Sequence, residues 1–548
     1  MLLWFCEPMV VLEFGGGIVI WKEGEDVRTS NSPASLLDIN HVRLHFWKDQ
    51  PPLEAAFLIQ EIGYKRTNLN MKLSDTSNIV REKKRAKMSF NRNFWDCSEG
   101  ARAKQRKEID SHTIQLNSLF PSPSSPCVLS ARASNTKSSL HVTHRHGTCS
   151  LLTRGKSTSP DHAEILRLDQ ARVNSIHSKL SKKLLTDGVR QSQTTNLPAK
   201  HGSIYGSANY VVTVGIGTPK QDQSLIFDTG SDLTWIQCKP CIPTCYSQKE
   251  PIFNPYKSSS YKNVLCLSAE CRCLYSATGK PGACSGLSCV YGIQYGDQSF
   301  SVGLLAKEKF TLTNSTRFFR LRREQQGLFA GVAGLLGLSR HKLSFPSQTA
   351  TTYNKTFSYC LPSSASDTGH LTFGSAGISS SVKFTPTSTI RAGASFYGLD
   401  IVGISVGGEK LEISPTVFSA PGAIIDSGTV VSRLPPKAYA ALPAAFKEKM
   451  SQYPNTSAVS IFDTCFDLSG VKTVTVPTVV FAFRGGAVVE LGWKGTLYAF
   501  NTSQVCLALA GNKDDNDIAI FGNIQQQTLQ VVYGGAGGRV GFAPDGCK

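Results

Sequence analysis

Ile226-Phe227-Asp228-Thr229-Gly230-Ser231 and Ile424-Ile425-Asp426-Ser427-Gly428-Thr429 carry one pattern twice, their aspartates 198 residues apart. Each sets two apolar residues before a single Asp, then a small hydroxyl residue, a Gly and a second hydroxyl residue. The pattern reads as a buried strand delivering a carboxylate into a tight turn. A turn with a capping Asp explains either string alone, but not the matched flanks of both. The likeness continues downstream: Leu335-Leu336-Gly337 follows the first Asp by 109 residues, and Ile520-Phe521-Gly522 follows the second by 96. The chain therefore reads as two homologous β-rich lobes that each lend one Asp to a shared cleft. Ligand sites commonly sit at such boundaries.

At 548 residues the chain is long enough for two or more domains. Hydrophobic residues at 41% and charged residues at 18% describe a globular protein, and 47 Gly with 26 Pro fit a second half made of short strands and turns. One helix is expected there over Pro435–Met450, with Pro443 inside it. No run approaches 18 apolar residues, so no membrane span is expected. Residues 1–110 form a basic N-terminal extension with no periodic pattern, and no fold is assigned to them. Met1 to Val11 is apolar but lacks a basic leader and is broken by Glu7, which makes it a poor secretory signal. Acidic residues downstream argue against a plastid transit peptide.

Sixteen Cys occur, 12 of them after Ser203. An even, dense set in a β-rich domain reads as disulfides made in an oxidising compartment. Four Asn-x-Ser/Thr sequons, at Asn314, Asn354, Asn455 and Asn501, agree with secretion. Cys spacing does not define connectivity, and Cys238-x-x-Cys241 alone could also belong to a zinc knuckle. His141-x-x-His144-x-His146 with Cys149 has no scaffold around it, so no metal is expected, nor any other cofactor.

The residues Asp228 to Trp235, Tyr295-Gly296-Asp297, Ala333 to Leu338 and Ile424 to Thr429 resemble the pepsin-type aspartic proteases, in particular their cysteine-rich, nepenthesin-like plant branch. The likeness runs from about Ser203 to Lys548, with a weaker prosegment likeness from near Ser111. It implies a mostly β, bilobal pepsin-like fold with the active-site cleft between the lobes. The implied divisions are an N-terminal extension at 1–110, a prosegment at 111–200, an N-terminal lobe at 201–385 and a C-terminal lobe at 386–548.

Amide hydrolysis by water needs a base for the water and an acid for the carbonyl oxygen. Two carboxyls that share one proton supply both, because like-charge repulsion splits their titration. The resemblance assigns this pair to Asp228 and Asp426. It makes Thr229 and Ser427 interlock the two turns, and Ser231 and Thr429 hydrogen-bond the outer carboxylate oxygens. Gly230 and Gly428 allow two backbones to approach where a Cβ would clash. Val290 to Asp297 alternates and turns like a hairpin, and in the family a Tyr at the place of Tyr295 sits on a flap and bonds the indole of a Trp, here Trp235. Gln298 stands where the family often has Gly.

Ser138 to Lys183 looks like a prosegment. Ser159 can cap a helix with Pro160 at its first position, and Ile165, Leu168, Ala171, Ile176 and Leu180 fall near one face. In the family's zymogens a basic prosegment occupies the cleft until acid weakens its ion pairs. Residues 1–200 fit, with 29 basic against 19 acidic residues. The implied disulfides are Cys238-Cys241, Cys266-Cys289, Cys271-Cys284, Cys360-Cys547 and Cys465-Cys506, with Cys245 free or joined to Cys273. One departure stands out: where the family has an apolar strand ending in Phe-Gly-Cys-Gly, this chain has the Arg-rich Ser315 to Gln326, expected to leave a gap in the first lobe's sheet.

The function expected is an acid endopeptidase made as a zymogen, acting on polypeptide substrates as a monomer with its own prosegment as intramolecular inhibitor. Secretion to the apoplast or delivery to the vacuole is expected, with the plastid as the alternative. Three rival functions find less support in the sequence. Gly403-Ile404-Ser405-Val406-Gly407 matches a serine-hydrolase elbow, but no His follows Ser405. A non-catalytic binder or inhibitor of the same fold typically lacks a catalytic Asp, and both are present. A DNA-binding relative is suggested by the net charge of +18, but nucleic-acid binding needs a clustered basic face that the protease region does not offer.

Overall fold

The computed structural model describes residues 9–14, 17–22 and most of 110–547; within the latter range 121–125, 137, 154–160, 186–209, 242–244, 296–298, 313–314, 320–323, 327–328, 330, 389–392, 394, 420 and 536–537 are not described. The chain divides into two units, Met1–Lys107 and Glu108–Lys548. In the first, Met9–Phe14 and Gly17–Lys22 form an antiparallel hairpin. The other described residues belong to the second.

Apolar strands bounded by Gly and Pro build a sheet of 13 strands at its centre. It runs from the C-terminal strands Arg539–Ala543 and Gln530–Gly534 through Phe357–Cys360 and Thr368–Phe373 to Ser139–His144 and Tyr210–Ile216. Gln221–Asp228 follows, then Gly334–Gly337. Strands from both halves of the chain thus share one ladder, and a strand from well upstream of Asp228 is woven between them. Ser139–His144 pairs antiparallel with Thr368–Phe373 on one side and with Tyr210–Ile216 on the other. The main core crosses the same boundary, packing Phe227, Tyr359 and Leu336 with Tyr397, Phe521 and Tyr533.

The repeat becomes geometry in two parallel pairs. Gln221–Asp228 runs beside Gly334–Gly337 with Asp228 opposite Gly337, and Ala423–Ile425 runs beside Ala519–Phe521 with Ile425 opposite Phe521. In each lobe the turn after the Asp folds back over the strand that carries the downstream Gly. A Cβ on Gly337 would meet the Leu233 carbonyl oxygen at 2.5 Å, and one on Gly522 the Val430 oxygen at 2.9 Å. Two apolar residues and a Gly recur because each strand is buried on both faces and crossed by backbone at its end.

Ser315–Phe319 pairs with Ala306–Leu312, and Glu324–Gln326 pairs with Phe300–Leu304. The expected gap in the first lobe is therefore not there: backbone pairing does not depend on apolar side chains, so the Arg-rich segment still fills the ladder. Ser405 lies within strand Ile401–Val406, paired with Lys410 rather than leading into a helix. The helix expected over Pro435–Met450 spans Pro436–Lys449, with Pro443 buried inside it.

Six disulfides join described residues, and three of the five implied pairs differ. Cys360–Cys547 and Cys465–Cys506 are joined. Cys241 pairs with Cys245 instead of Cys238, whose side chain is buried in the main core. Cys266 pairs with Cys284 and Cys271 with Cys289, not the crossed arrangement. Burial sorts them: Cys271 and Cys289 are both buried, whereas Cys266 is only half-buried and Cys284 is exposed. Cys245 is thus not left free, and Cys273 is disulfide-bonded elsewhere. A sixth bridge, Cys127–Cys149, closes the loop that carries Ser139–His144 and ties up the thiol next to His141, His144 and His146.

Candidate active site

Asp228 ends the strand Gln221–Asp228, Asp426 follows the strand Ala423–Ile425, and neither is exposed to solvent. Buried carboxylates must be hydrogen-bonded or paired, and both are. Asp228 accepts from Gly230 N at 2.9 Å and Ser231 Oγ at 2.5 Å. Asp426 accepts from Gly428 N at 3.1 Å and Thr429 Oγ1 at 2.6 Å. The two turns interlock reciprocally: Thr229 N donates to Ser427 Oγ at 3.1 Å, and Ser427 N donates to Thr229 Oγ1 at 2.9 Å. A Cβ on Gly230 would lie 2.7 Å from Asp426 Oδ1, and one on Gly428 would lie 2.5 Å from Asp228 Oδ1. Each Gly therefore makes room for the opposite carboxylate. All eight residues singled out around the repeated pattern meet at one point.

That point is occupied by Arg172, on the helix His162–Leu185, which we term the cleft helix. Its Nη2 donates to Asp228 Oδ1 at 2.7 Å and to Asp426 Oδ1 at 3.0 Å, while Nε donates to Asp426 Oδ2 at 2.9 Å. One nitrogen bonded to both carboxylates keeps them within a few ångströms of each other. Burial disfavours charge on all three groups, and their mutual attraction decides the outcome. The Arg172 guanidinium is held charged by Asp228 and Asp426 against that burial. Asp228 is likewise buried, but Arg172 and the Ser231 hydroxyl keep its carboxyl below the ordinary value. Burial pushes Asp426 up to about 6, with Arg172 opposing and the neighbouring Asp228 charge reinforcing the rise. Two carboxyls in matched turns thus have separated affinities for a proton.

The cleft helix is seated by more than Arg172. Val173 and Ile176 pack against Phe396, Ile424, Ile518 and Ile520. Ile165 and Leu166 pack against Val430, Val431 and Phe462. Each such side chain stabilises the docking by about 1.5–3 kcal/mol. Asp169 accepts from Val430 N at 2.6 Å and pairs with Arg433 Nη2 at 3.0 Å. The expected cap at Ser159 lies outside the described residues; the helix begins at His162, where Asp161 accepts from Glu164 N at 3.1 Å.

Trp235 is fully buried and its Nε1 donates to Tyr295 Oη at 2.7 Å. Phe329 lies edge-on to both rings, 4.5 Å from Trp235 and 5.5 Å from Tyr295. The strands Ser288–Gln294 and Phe300–Leu304 form the hairpin that carries Tyr295, which lines the cleft with Arg172 and Asp228. The hairpin tip with Gln298 lies outside the described residues.

Sequence reading missed Arg172, Asp169 and Arg433. A signal was there for the first: Ile165, Leu168, Arg172, Ile176 and Leu180 are spaced by three and four, so Arg172 interrupts the apolar stripe of its own helix. A cation in the middle of a buried face implies an anion waiting opposite. Asp169 and Arg433 carry no such signal, because 264 residues separate them.

Comparison with known proteins agrees with this geometry. Family models described as xylanase inhibitor N-terminal and xylanase inhibitor C-terminal match residues 210–375 and 396–544. An Arabidopsis thaliana protein named as an aspartyl protease family protein is 71% identical, covering 84% of this chain and all of its own length. The A. thaliana aspartyl protease AED1 is 59% identical over 83% of this chain and 96% of its own. Aspartic proteinase nepenthesin-2 of Nepenthes gracilis is 36% identical over 70% of this chain and 90% of its own. Among solved structures, edgp superposes with a TM-score of 0.50 at 19% identity, over 62% of this chain and 92% of its own, a likeness of fold alone. No described helix is long and apolar enough to cross a membrane. With paired Asp-Thr/Ser-Gly turns at the lobe boundary and relatives matched over most of its length, the chain belongs to the pepsin-type aspartyl proteases, in their nepenthesin-like branch.

Proposed function

We propose that the protein is an aspartic endopeptidase made as a zymogen, in which Asp228 and Asp426 hydrolyse peptide bonds at acidic pH. With one proton shared between them, the ionised carboxyl takes a proton from a bound water as its oxygen attacks the peptide carbonyl carbon. The protonated carboxyl gives its proton to the carbonyl oxygen, forming a neutral gem-diol. Collapse of the gem-diol breaks the C–N bond, with a proton passing to the leaving nitrogen, and yields a carboxylic acid and an amine. Ser231, Thr429, Gly230 and Gly428 hold the carboxyl oxygens in place, and Tyr295 closes over the substrate.

The observation that carries the zymogen reading is the single Arg172 guanidinium bonded to both carboxylates. While it is there, neither carboxyl can take a proton from water and no peptide can reach them. Residues 111–200 act on this reading as a prosegment, 201–385 and 386–548 as the two catalytic lobes, and 1–110 as an extension. The disulfides support synthesis in an oxidising compartment and, with it, secretion or vacuolar delivery. A binder of the same fold has no use for two ionisable Asp in a dry cleft. The test is digestion of a denatured protein at about pH 3 to 5, the range in which a carboxyl pair holds one proton, with and without pepstatin. Pepstatin-sensitive cleavage is expected; cleavage that ignores pepstatin, or none by the processed protein, overturns the reading.

A further inference from the structure

We propose that the mature cleft contains a subsite for an acidic side chain, with Arg433 as its floor and the Val430 and Val431 amides as its rim. The inference rests on the zymogen reading above and goes beyond it by naming a feature of the substrate. In the present state the subsite is filled by the chain's own Asp169. That carboxylate accepts from Val430 N at 2.6 Å, Val431 N at 3.3 Å and Arg433 Nη2 at 3.0 Å. Asp169 is 0% exposed and Arg433 1% exposed, so the pair is dry. Gln170 Oε1 also faces Arg433 Nη2, at 3.4 Å.

The pocket belongs to the protease body and the carboxylate does not. Val430, Val431 and Arg433 follow Asp426 within seven residues, the two valines between Thr429 and the strand that carries Arg433. Arg433 lies in the strand Ser432–Leu434, between Leu509–Gly511 and Ala519–Phe521. Its Nη1 donates to Val431 O at 2.7 Å, which fixes the guanidinium plane from its own backbone. Asp169, by contrast, sits one helical turn before Arg172, the residue that blocks the two catalytic carboxyls. When the cleft helix leaves, Arg172 and Asp169 leave together. Asp169 is the one salt-bridge partner of Arg433 among the described residues. Departure therefore leaves a positioned cation and two backbone donors around the space that Asp169 vacates, with no salt-bridge partner.

An uncompensated buried charge is costly, whereas a carboxylate placed on such donors restores the pairing. An Asp or Glu side chain of a bound peptide can do so; the amide isosteres do so less well, since Asn or Gln brings one acceptor oxygen, no charge, and an NH2 set against donors. Discrimination between acid and amide of about 10- to 100-fold in kcat/KM is expected, as for a hydrogen bond to a charged group.

The experiment uses the full chain after acid processing. Peptides are compared in pairs that differ only by Asp against Asn, or Glu against Gln, at each position within four residues of the cut bond. At one position the acidic member is expected to be cut at least tenfold faster, and in Arg433→Gln the preference at that position is expected to fall to near one. Equal cutting of both members at every position overturns the subsite and leaves the endopeptidase assignment standing. A second measurement needs neither turnover nor an Arg433 variant: a labelled peptide of residues 162–185 is bound to the processed protein and followed by anisotropy. The Asp169→Asn peptide is expected to bind at least tenfold more weakly than the natural sequence, and equal binding overturns the proposal. If the processed protein binds these peptides with that difference but cuts nothing, the proposed activity fails and the subsite stands.

Discussion

Two side chains far apart in sequence become chemically useful only when the protein fixes their oxygens; here four hydrogen bonds hold the carboxylates and two more interlock their turns. On the proposed mechanism, replacing Asp228 or Asp426 with Asn removes the group that deprotonates water or protonates the carbonyl. Loss of at least about a thousandfold in kcat, with an unchanged far-UV circular dichroism spectrum, is expected for either. Residual activity within tenfold of the parent would exclude the dyad. Tyr295→Phe is a finer probe. It removes the acceptor of the buried Trp235 indole N–H, and an orphaned buried donor costs about 1–3 kcal/mol. If the flap is ordered by that bond, kcat/KM is expected to fall about tenfold with Tm little changed. A drop in Tm without a change in kcat/KM would make the contact structural.

At the scale of elements, the cleft helix is held by Arg172 on both carboxylates, the buried Asp169–Arg433 pair, an apolar stripe, and lesser contacts of His162 with Tyr498, His177 with Asp517 and Lys179 with Asp232. The sign of the pH effect follows from Asp228, whose carboxyl lies below the ordinary value in the docked state. A depressed carboxylate stabilises docking above its undocked pKa, and that contribution is lost as pH falls through the lowered value. Asp426, pushed up to about 6, works the other way: its share is full below the undocked value and is lost as pH rises through about 6. Wild-type chain is therefore expected to process itself only below the ordinary carboxylate range, about pH 4, where the Asp228–Arg172 bond is lost. In Arg172→Met the pH of half-maximal processing is expected to rise by about one unit or more, read by gel mobility against time. An unchanged pH would mean that Arg172 does not govern release. The Cys-rich hairpin makes an independent prediction: peptide mapping without reduction is expected to recover Cys266 linked to Cys284 and Cys271 linked to Cys289.

Over the whole molecule, the N-terminal segment does two separate jobs. The cleft helix covers the site, whereas Ser139–His144 is an internal strand of the central sheet, bonded along both edges. Removing that strand exposes the edges of Thr368–Phe373 and Tyr210–Ile216, and open edges invite aggregation. A chain beginning at Ser203 is thus expected to give mostly insoluble protein, and co-expression of residues 108–153 to restore soluble yield. Equal soluble yields with and without residues 108–153 would show the strand to be dispensable.

The doubled Asp pattern, the matching apolar-apolar-Gly strings, the Trp235 and Tyr295 motifs and the apolar face of the cleft helix were all legible in the residues, because each is a local pattern of a few side chains with one geometry that satisfies it. Arg172 was half legible, as a cation in an apolar stripe whose partners no local pattern names. The pairing of Cys271 with Cys289, the seating of Asp169 on Arg433 and the insertion of Ser139–His144 into the central sheet were decided by the tertiary structure alone. Each depends on which surfaces are buried together across tens to hundreds of residues, and burial is a property of the assembled core.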